Sequence, residues 1–487
     1  GVGGGRHPKS WQLLAAPTVG QSIFNSWQEG GSNLPGYGTW ISGNGSGFDV
    51  FSLAPALKYY DPASNTWIGE TSTANPVNNG KGYLLFVRGD RTVTTFNGTP
   101  VPTVLRSTGN IYQPINPPPV TNVGSNLWAT VANPYASAVD LIQLRDNGGF
   151  VGLNNDVVVW DPTLGGTFGY GGYQTLAAAN DYEPTAGGTS YYPAGVPSPA
   201  IESGQAFLVR SAGGAATVTF QENVKLSANR LVHRGSSNNR SFFRVTLRQT
   251  DDQILDGNAV AFETGFSNNI NPDDAEKLLN GTENFGIRRQ QKLLSVEARL
   301  PVQRRDTVFY EMQNLKTQTY RLAFAPSRMP YRQLTARLID RFLNTQTPIS
   351  LGDSTYIHFT VTNNPASRAA NRFYVVFEAS RSNPPIRPLA KGTEIQVEKN
   401  GPCSITVFPN PVTNHHLQLR LQNIPAGTLH WQLISRDGKM LAAGERNRTM
   451  EQAILPVAVP MSISSGEYLL QVTDASGKAY TIPVIIE

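Results

Sequence analysis

Three short blocks of this chain occur twice and in the same order, and that repetition is the strongest constraint on its fold. "WQLLAAP" at 11–17 is echoed by "WATVANP" at 128–134, "YYDPASNTW" at 59–67 by "VWDPTLGGT" at 159–167, and "GYLLFVR" at 82–88 by "GQAFLVR" at 204–210. Each block reads as a strand with its turn: Asp-Pro opens a turn after an apolar run, and a glycine precedes a buried strand. Three echoes in one order point to an internal duplication over residues 1–232, with halves at about 1–113 and 120–232 joined by the proline-rich "PINPPPVTN". This region also holds 33 of the 46 glycines and six of the seven tryptophans.

Beyond "HRGSSNNR" (233–240), which reads as a linker, period-2 runs dominate. "SFFRVTLRQ", "NAVAFET", "LLSVEARL", "TYRLAFA", "LTARLIDRF", "STYIHFTV" and "RFYVVFEA" are seven strand candidates in about 140 residues, which predicts a β-sandwich over 240–381. One short helix is expected inside it at "NPDDAEKLLN", with Asn271 as cap, Pro272 at the first position, and Asp273 and Asp274 facing the helix dipole. A second linker, "SNPPIRPLAKG" (382–392), precedes a final run of strands at 400–487, with hairpin turns expected at Asp437-Gly438 and Ser476-Gly477. Low charge (15%) with abundant Gly and Pro and 39% apolar residues suits short strands joined by turns. The expected fold is mostly β: several β-sandwich domains in tandem, ending in a small one.

Charge narrows the partners. Lys+Arg against Asp+Glu is 11 to 13 over 1–230, 23 to 16 over 231–400 and 6 to 6 over 401–487. The middle arginines are spread one per strand rather than gathered in a stripe, which favours a solvated strand face over nucleic-acid binding and leaves contact with an anionic surface glycolipid open. A single cysteine, Cys403, excludes an internal disulfide framework and a Cys-based zinc site. No run approaches 18 apolar residues, so no transmembrane helix is expected. The start "GVGGGRHPKS" has neither an initiator Met nor a signal core, and reads as the C-terminal part of a longer or processed polypeptide.

The last section resembles the type A sorting domain of proteins exported by the type IX secretion system of Bacteroidota. The matching segments are "VFPNPV", "LISRDGKML", "GEYLLQV" and "YTIPVIIE", in order. The residues matching the family's motifs are Pro409, Asn410, Pro411, Asp437, Gly438, Lys439, Gly466, Tyr468, Leu470 and Val472. The resemblance implies a small Ig-like sandwich that serves as an address. The outer-membrane translocon and a shuttle protein would read it, a sortase-like peptidase would remove it, and the cargo would end up secreted or attached to surface lipopolysaccharide. Residues 1–232 and 240–380 resemble modules that precede such domains in large surface proteins, for which no activity transfers.

Several motifs admit both a chemical and a plain structural reading. Arg88-Gly89-Asp90 looks like an integrin tripeptide but fits a strand running into a turn. Trp27, Trp40 and Trp67 could form a sugar-stacking platform in 1–232, or fill small cores. Asp251, Asp252 and Asp256, and Asp273 with Asp274, lack calcium-loop spacing; Asp256-Gly257 reads instead as a hairpin turn. His415 and His416 are adjacent and point to opposite faces of a strand, and no H-E-x-x-H or G-x-S-x-G occurs. Thr307 and Ser354 sit in short Asp-Thr and Asp-Ser sites resembling the O-glycosylation sites of that phylum. The expectation is a non-enzymatic secreted or surface protein without cofactor, adhesin-like in role. The alternatives are accessory and export modules of a larger secreted hydrolase, or a glycan-binding module in 1–232.

Overall fold

The structure, a computed structural model, describes residues 9–486 except 51, 78–79, 114–119, 166–170, 187–199, 227–239, 331–332, 380–403, 409–411, 413–415, 423, 425–426, 436–438, 449–453, 461–462, 465 and 476. The chain is mostly β and divides into two compact units, Gly1–Asn383 and Pro384–Glu487. No helix among the described residues is long and apolar enough to cross a membrane.

The echoed blocks fall on corresponding strands of two four-stranded sheets. In the first, β1 (Ser10–Leu14), β2 (Leu57–Asp61), β3 (Thr66–Gly69) and β4 (Tyr83–Val87) lie in the order β1-β4-β2-β3. In the second, β5 (Trp128–Ala132), β6 (Asp156–Asp161), β7 (Gly172–Ala177) and β8 (Ala206–Arg210) lie in the order β5-β8-β6-β7, which is the same arrangement. The Asp-Pro blocks close equivalent turns: Asp61 accepts the backbone N–H of Ser64 at 3.1 Å, and Asp161 that of Thr163 at 2.8 Å.

Unlike half-exposed strands, the central strands are apolar at successive positions because both of their faces are buried. Leu84 and Leu208, Tyr60 and Trp160 point into a cluster shared by the two sheets. Their neighbours Tyr83, Leu85 and Trp27 fill a core over the far side of the first sheet, and Phe207, Val209, Val157 and Val159 fill one over the far side of the second. Cross-strand aromatic pairs occupy equivalent places, Tyr60 on Trp67 with centroids 5.4 Å apart and Trp160 on Tyr173 at 5.0 Å, both edge-to-face. Trp67 Nε1–H donates to the Tyr173 hydroxyl at 2.6 Å, so one pair is tied to the other.

Besides three small sheets of two or three short strands, the first unit holds one 11-stranded sheet folded over its own core. Its strands are β9 (Ser241–Gln249), β10 (Ile254–Phe262), β11 (Ala275–Glu276), β12 (Asn284–Arg289), β13 (Lys292–Arg299), β14 (Thr307–Gln313), β15 (Thr319–Ser327), β16 (Leu334–Asp340), β17 (Thr345–Ile349), β18 (Thr355–Thr360) and β19 (Phe373–Ala379). The order is β17-β16-β19-β14-β12-β13-β10-β9-β15-β18, with β11 on β13 and a parallel pair at β10–β13. Phe243 of β9 meets Phe377 of β19 at 5.4 Å although the strands are not neighbours in the sheet, which marks the fold-over. All seven expected strands are present.

Two local expectations are corrected. No helix forms at 271–280. Asn271 Oδ1 does accept the Asp273 N–H at 2.9 Å, but Asp274 takes the Asn271 N–H at 2.9 Å and the Ala298 N–H at 2.9 Å. That second bond ties the turn to β13 and draws Ala275–Glu276 into extended pairing, so the capping residues close a turn and no helix follows. Likewise Asp256-Gly257 is not a turn but lies inside β10; the reversal comes at 250–253, where Asp252 has φ +73°. Asp256 is buried, paired with Lys277 at 2.7 Å and accepting the Phe285 N–H at 2.7 Å.

Although read as separate parts, the double-sheet region and the 11-stranded sheet pack together within the first unit. Ala177 and Ala179 join Phe242, Ala261, Val296 and Ala298 in one cluster. Arg240 pairs with Asp181 at 2.8 Å and Glu263 at 2.7 Å. The second unit has its own core between a three-stranded sheet, β20 (Ser404–Phe408), β21 (His416–Gln422) and β24 (Ile454–Ala458), and a four-stranded one. The latter runs β23-β22-β25-β26, formed by β22 (Gly427–Ser435), β23 (Met440–Arg448), β25 (Gly466–Thr473) and β26 (Ala479–Ile486).

At Gly82 the two duplicated sheets approach closely. A Cβ there would lie 2.7 Å from the Ala206 Cβ and 3.0 Å from the Thr130 Cβ. Gly82→Ala is therefore expected to destabilise the protein by roughly 1–3 kcal/mol, and Ala206→Gly to restore part of that loss in a double-mutant cycle followed by guanidinium unfolding.

Candidate functional site

Of the sorting-motif residues, Pro409, Asn410, Pro411, Asp437 and Gly438 lie outside the described residues. Leu470 and Val472 point into the core of the second unit and Tyr468 packs against it, its hydroxyl donating to the Ser464 carbonyl at 2.6 Å. Gly466 is half-buried at the start of β25, and Lys439 is exposed. The Lys439 carbonyl accepts the Ser435 N–H at 2.9 Å, which holds the base of the β22–β23 hairpin. The same motif segments also place apolar side chains on the outside. Met440, Ile434, Leu469 and Pro483 stand in register across all four strands, with Met440 57% and Leu469 40% exposed. Folding alone does not call for that row, because none of the four belongs to the buried core.

The tryptophans do not form a platform. Trp27 is buried and packs edge-to-face on Tyr83, which removes it from any sugar surface. Trp40 is half-buried, donates to the Arg91 carbonyl at 2.9 Å and lies under the Arg91 guanidinium. Trp67 belongs to the aromatic contact between the sheets. Arg88 and Asp90 are buried, and Asp90 accepts the backbone N–H of Gly36 and of Thr92, so the tripeptide is a turn element.

The acidic groups are likewise occupied. Asp252 takes Arg248 and Arg321, Asp273 takes the Asn155 amide at 3.0 Å, and no group of three or more His, Cys, Asp or Glu placed to hold a metal is found among the described residues. His358 is exposed on β18; His415 and Cys403 lie outside the described residues. Ser354 is exposed at a turn, whereas Thr307 is half-buried at the start of β14 with its hydroxyl turned to the Arg305 carbonyl.

One site was missed in the sequence. A cavity of about 200 Å³ opens where the second duplicated sheet meets the 11-stranded sheet. It is lined by Asn126, Asn154 and Arg210 from one side and by Asp274, Glu276 and Lys292 from the other. Glu276 binds Arg210 through one oxygen and Lys292 through the other. Behind Arg210 lies Asp156, 2% exposed, with neither carboxylate oxygen in a hydrogen bond of good geometry. Burial pushes its carboxyl up to about 7 against the opposing pull of Arg210, and Glu276 adds to the rise. Sequence could not assemble this site, since its residues are spread from Asn126 to Lys292; the only local signal was an arginine ending each "GxxxxVR" block.

Asp156 sets a pH dependence. Its ordinary value is 3.8 and its folded value about 7, so the unfolded chain loses that proton first. The contribution of Asp156 to stability then falls as pH rises from about 4 to about 7 and levels off above. Asp156→Asn should flatten this slope and stabilise the protein at about pH 8 by on the order of a few kcal/mol, measured by guanidinium unfolding across that range. An unaltered slope in the variant would remove Asp156 as its source.

Residues 39–377 match the model of the family described as "Domain of unknown function (DUF8693)". The match crosses both duplicated sheets and most of the 11-stranded sheet, and stops before the second unit. Among solved structures, similarity is found to PorZ of Porphyromonas gingivalis, described as an essential bacterial surface component of the type IX secretion system. Identity is 19%, over 17% of this chain and 11% of that one, with a TM-score of 0.14. No curated protein matches the chain.

Proposed function

We propose, on the premise that the chain belongs to the DUF8693 family, that it is a non-enzymatic secreted or cell-surface protein exported through the type IX translocon. In this reading residues 400–487 are the address that translocon and shuttle protein recognise and a sortase-like peptidase removes. Residues 9–379 are a rigid β-rich stalk that presents loops at the surface, adhesin-like in role, with surface lipopolysaccharide as its anchor.

The observation that carries the reading is the ordered set "VFPNPV", "LISRDGKML", "GEYLLQV" and "YTIPVIIE" within 400–487. Two features support it. The set falls in a compact unit with its own core, outside the family match, as a detachable signal requires. Its segments also supply an exposed apolar row, Met440, Ile434, Leu469 and Pro483, of the kind a transient protein partner covers.

Deleting 400–487 should leave the protein in the periplasm of a host that has the system, detected by fractionation and immunoblot. Leu469→Glu in the full chain should reduce export several-fold without unfolding the unit, because that side chain is outside the core. Normal secretion of the truncated chain would overturn the assignment.

A further inference from the structure

We propose that the cavity between the second duplicated sheet and the 11-stranded sheet binds a neutral, hydroxylated ligand the size of a single sugar ring. Its boundary comes from both sides of a domain junction, the usual place for small-molecule sites. Asn154 precedes β6, Arg210 ends β8, Asp274 closes the turn that begins at Asn271, Glu276 ends β11 and Lys292 opens β13.

Three features fix the ligand class. Size comes first: about 200 Å³ of space admits a single ring. Polarity is second. Amides, a hydroxyl, carboxylates and cations line the space, and an apolar guest would leave them unsatisfied, a loss of about 1–3 kcal/mol per buried group. The Asn126 and Asn154 amides supply both donors and acceptors at the wall for a ligand hydroxyl. Charge is third. Glu276 takes both Arg210 and Lys292, while Asp274 is held by the Asn271 and Ala298 N–H groups. The ionic groups of the lining therefore answer one another, and a charged guest would have to break a pair.

The duplicated half supplies an internal contrast. The arginine matching Arg210 in the echoed block is Arg88. There the guanidinium lies on Phe86 at 4.7 Å and near Phe96 at 5.9 Å and reaches Ser42, so side chains of its own half fill the place. The copy that abuts the 11-stranded sheet opens instead onto a polar space. This site is separate from the tryptophans that a sugar-binding reading of the sequence would select, and it does not depend on how the protein is exported.

The test is isothermal titration of the 487-residue chain with glucose, galactose, mannose and N-acetylglucosamine, alongside glucose 6-phosphate and glutamate as charged probes. The expected result is saturable one-to-one binding of at least one neutral sugar, with the charged probes at least tenfold weaker. Asn154→Leu should weaken that binding tenfold or more, and Ala212→Phe, which places a ring at the rim of the cavity, should abolish it. Circular dichroism and unfolding curves check that both variants are folded; Ala212→Phe decides the matter if Asn154→Leu is not. No saturable binding by any of the four sugars, preference for a charged probe, or full binding by folded Ala212→Phe would each overturn the proposal.

Discussion

Face-to-face burial of two like sheets is the contact on which the rest of the first unit depends. Leu84, Tyr60 and Leu13 from one sheet meet Leu208, Trp160 and Trp128 from the other, and the Trp67–Tyr173 hydrogen bond satisfies both polar tips inside that aromatic cluster. Because each sheet also carries a core on its far face, its central strands are shielded on both sides. Apart, each sheet would expose its half of this cluster to water; here each half covers the other. The close approach at Gly82 is possible only without a side chain.

That arrangement in turn supports the junction with the 11-stranded sheet. β7 sits at the edge of the second sheet, and the residues that follow it, Ala178 and Ala179, offer their carbonyls to Arg240 at 2.9 and 3.1 Å. Arg240 also pairs with Asp181 and Glu263, so one side chain clamps the two parts. The cavity is a consequence: the two parts meet through polar loops and leave a gap that their own side chains only partly fill. The family match, residues 39–377, covers both sides of this junction within the one compact unit.

Much of this was legible in the sequence, for stated physical reasons. Strands were readable wherever alternation or a buried apolar run was long, as in "SFFRVTLRQ" and "GYLLFVR". β11, β12, β14 and β17 are not among the expected strands; of these "AE", "NFGIRR" and "TQTPI" are short and weakly patterned. The misread helix is instructive: Asn271, Asp273 and Asp274 do bond backbone N–H groups, but the acceptor strength of Asp274 was directed to a distant strand, which local sequence cannot reveal. Sequence favours cores over a sugar platform for Trp27 and Trp67, and packing places Trp27 in a core and Trp67 against one. The cavity was invisible because its members are more than 160 residues apart at the extremes, Asn126 and Lys292. The tripeptide at Arg88–Asp90 was readable as a turn, since Asp is the residue that bonds backbone N–H groups two positions on.

The export reading makes the second unit an address that acts independently of the body it follows. The most direct measurement is to fuse residues 384–487 to a reporter that normally stays in the periplasm, in a bacterium with a type IX system, and to assay cell surface and medium. The account predicts that the reporter crosses the outer membrane and that Leu469→Glu in the fused segment lowers its export. A folded fusion retained wholly in the periplasm would contradict it.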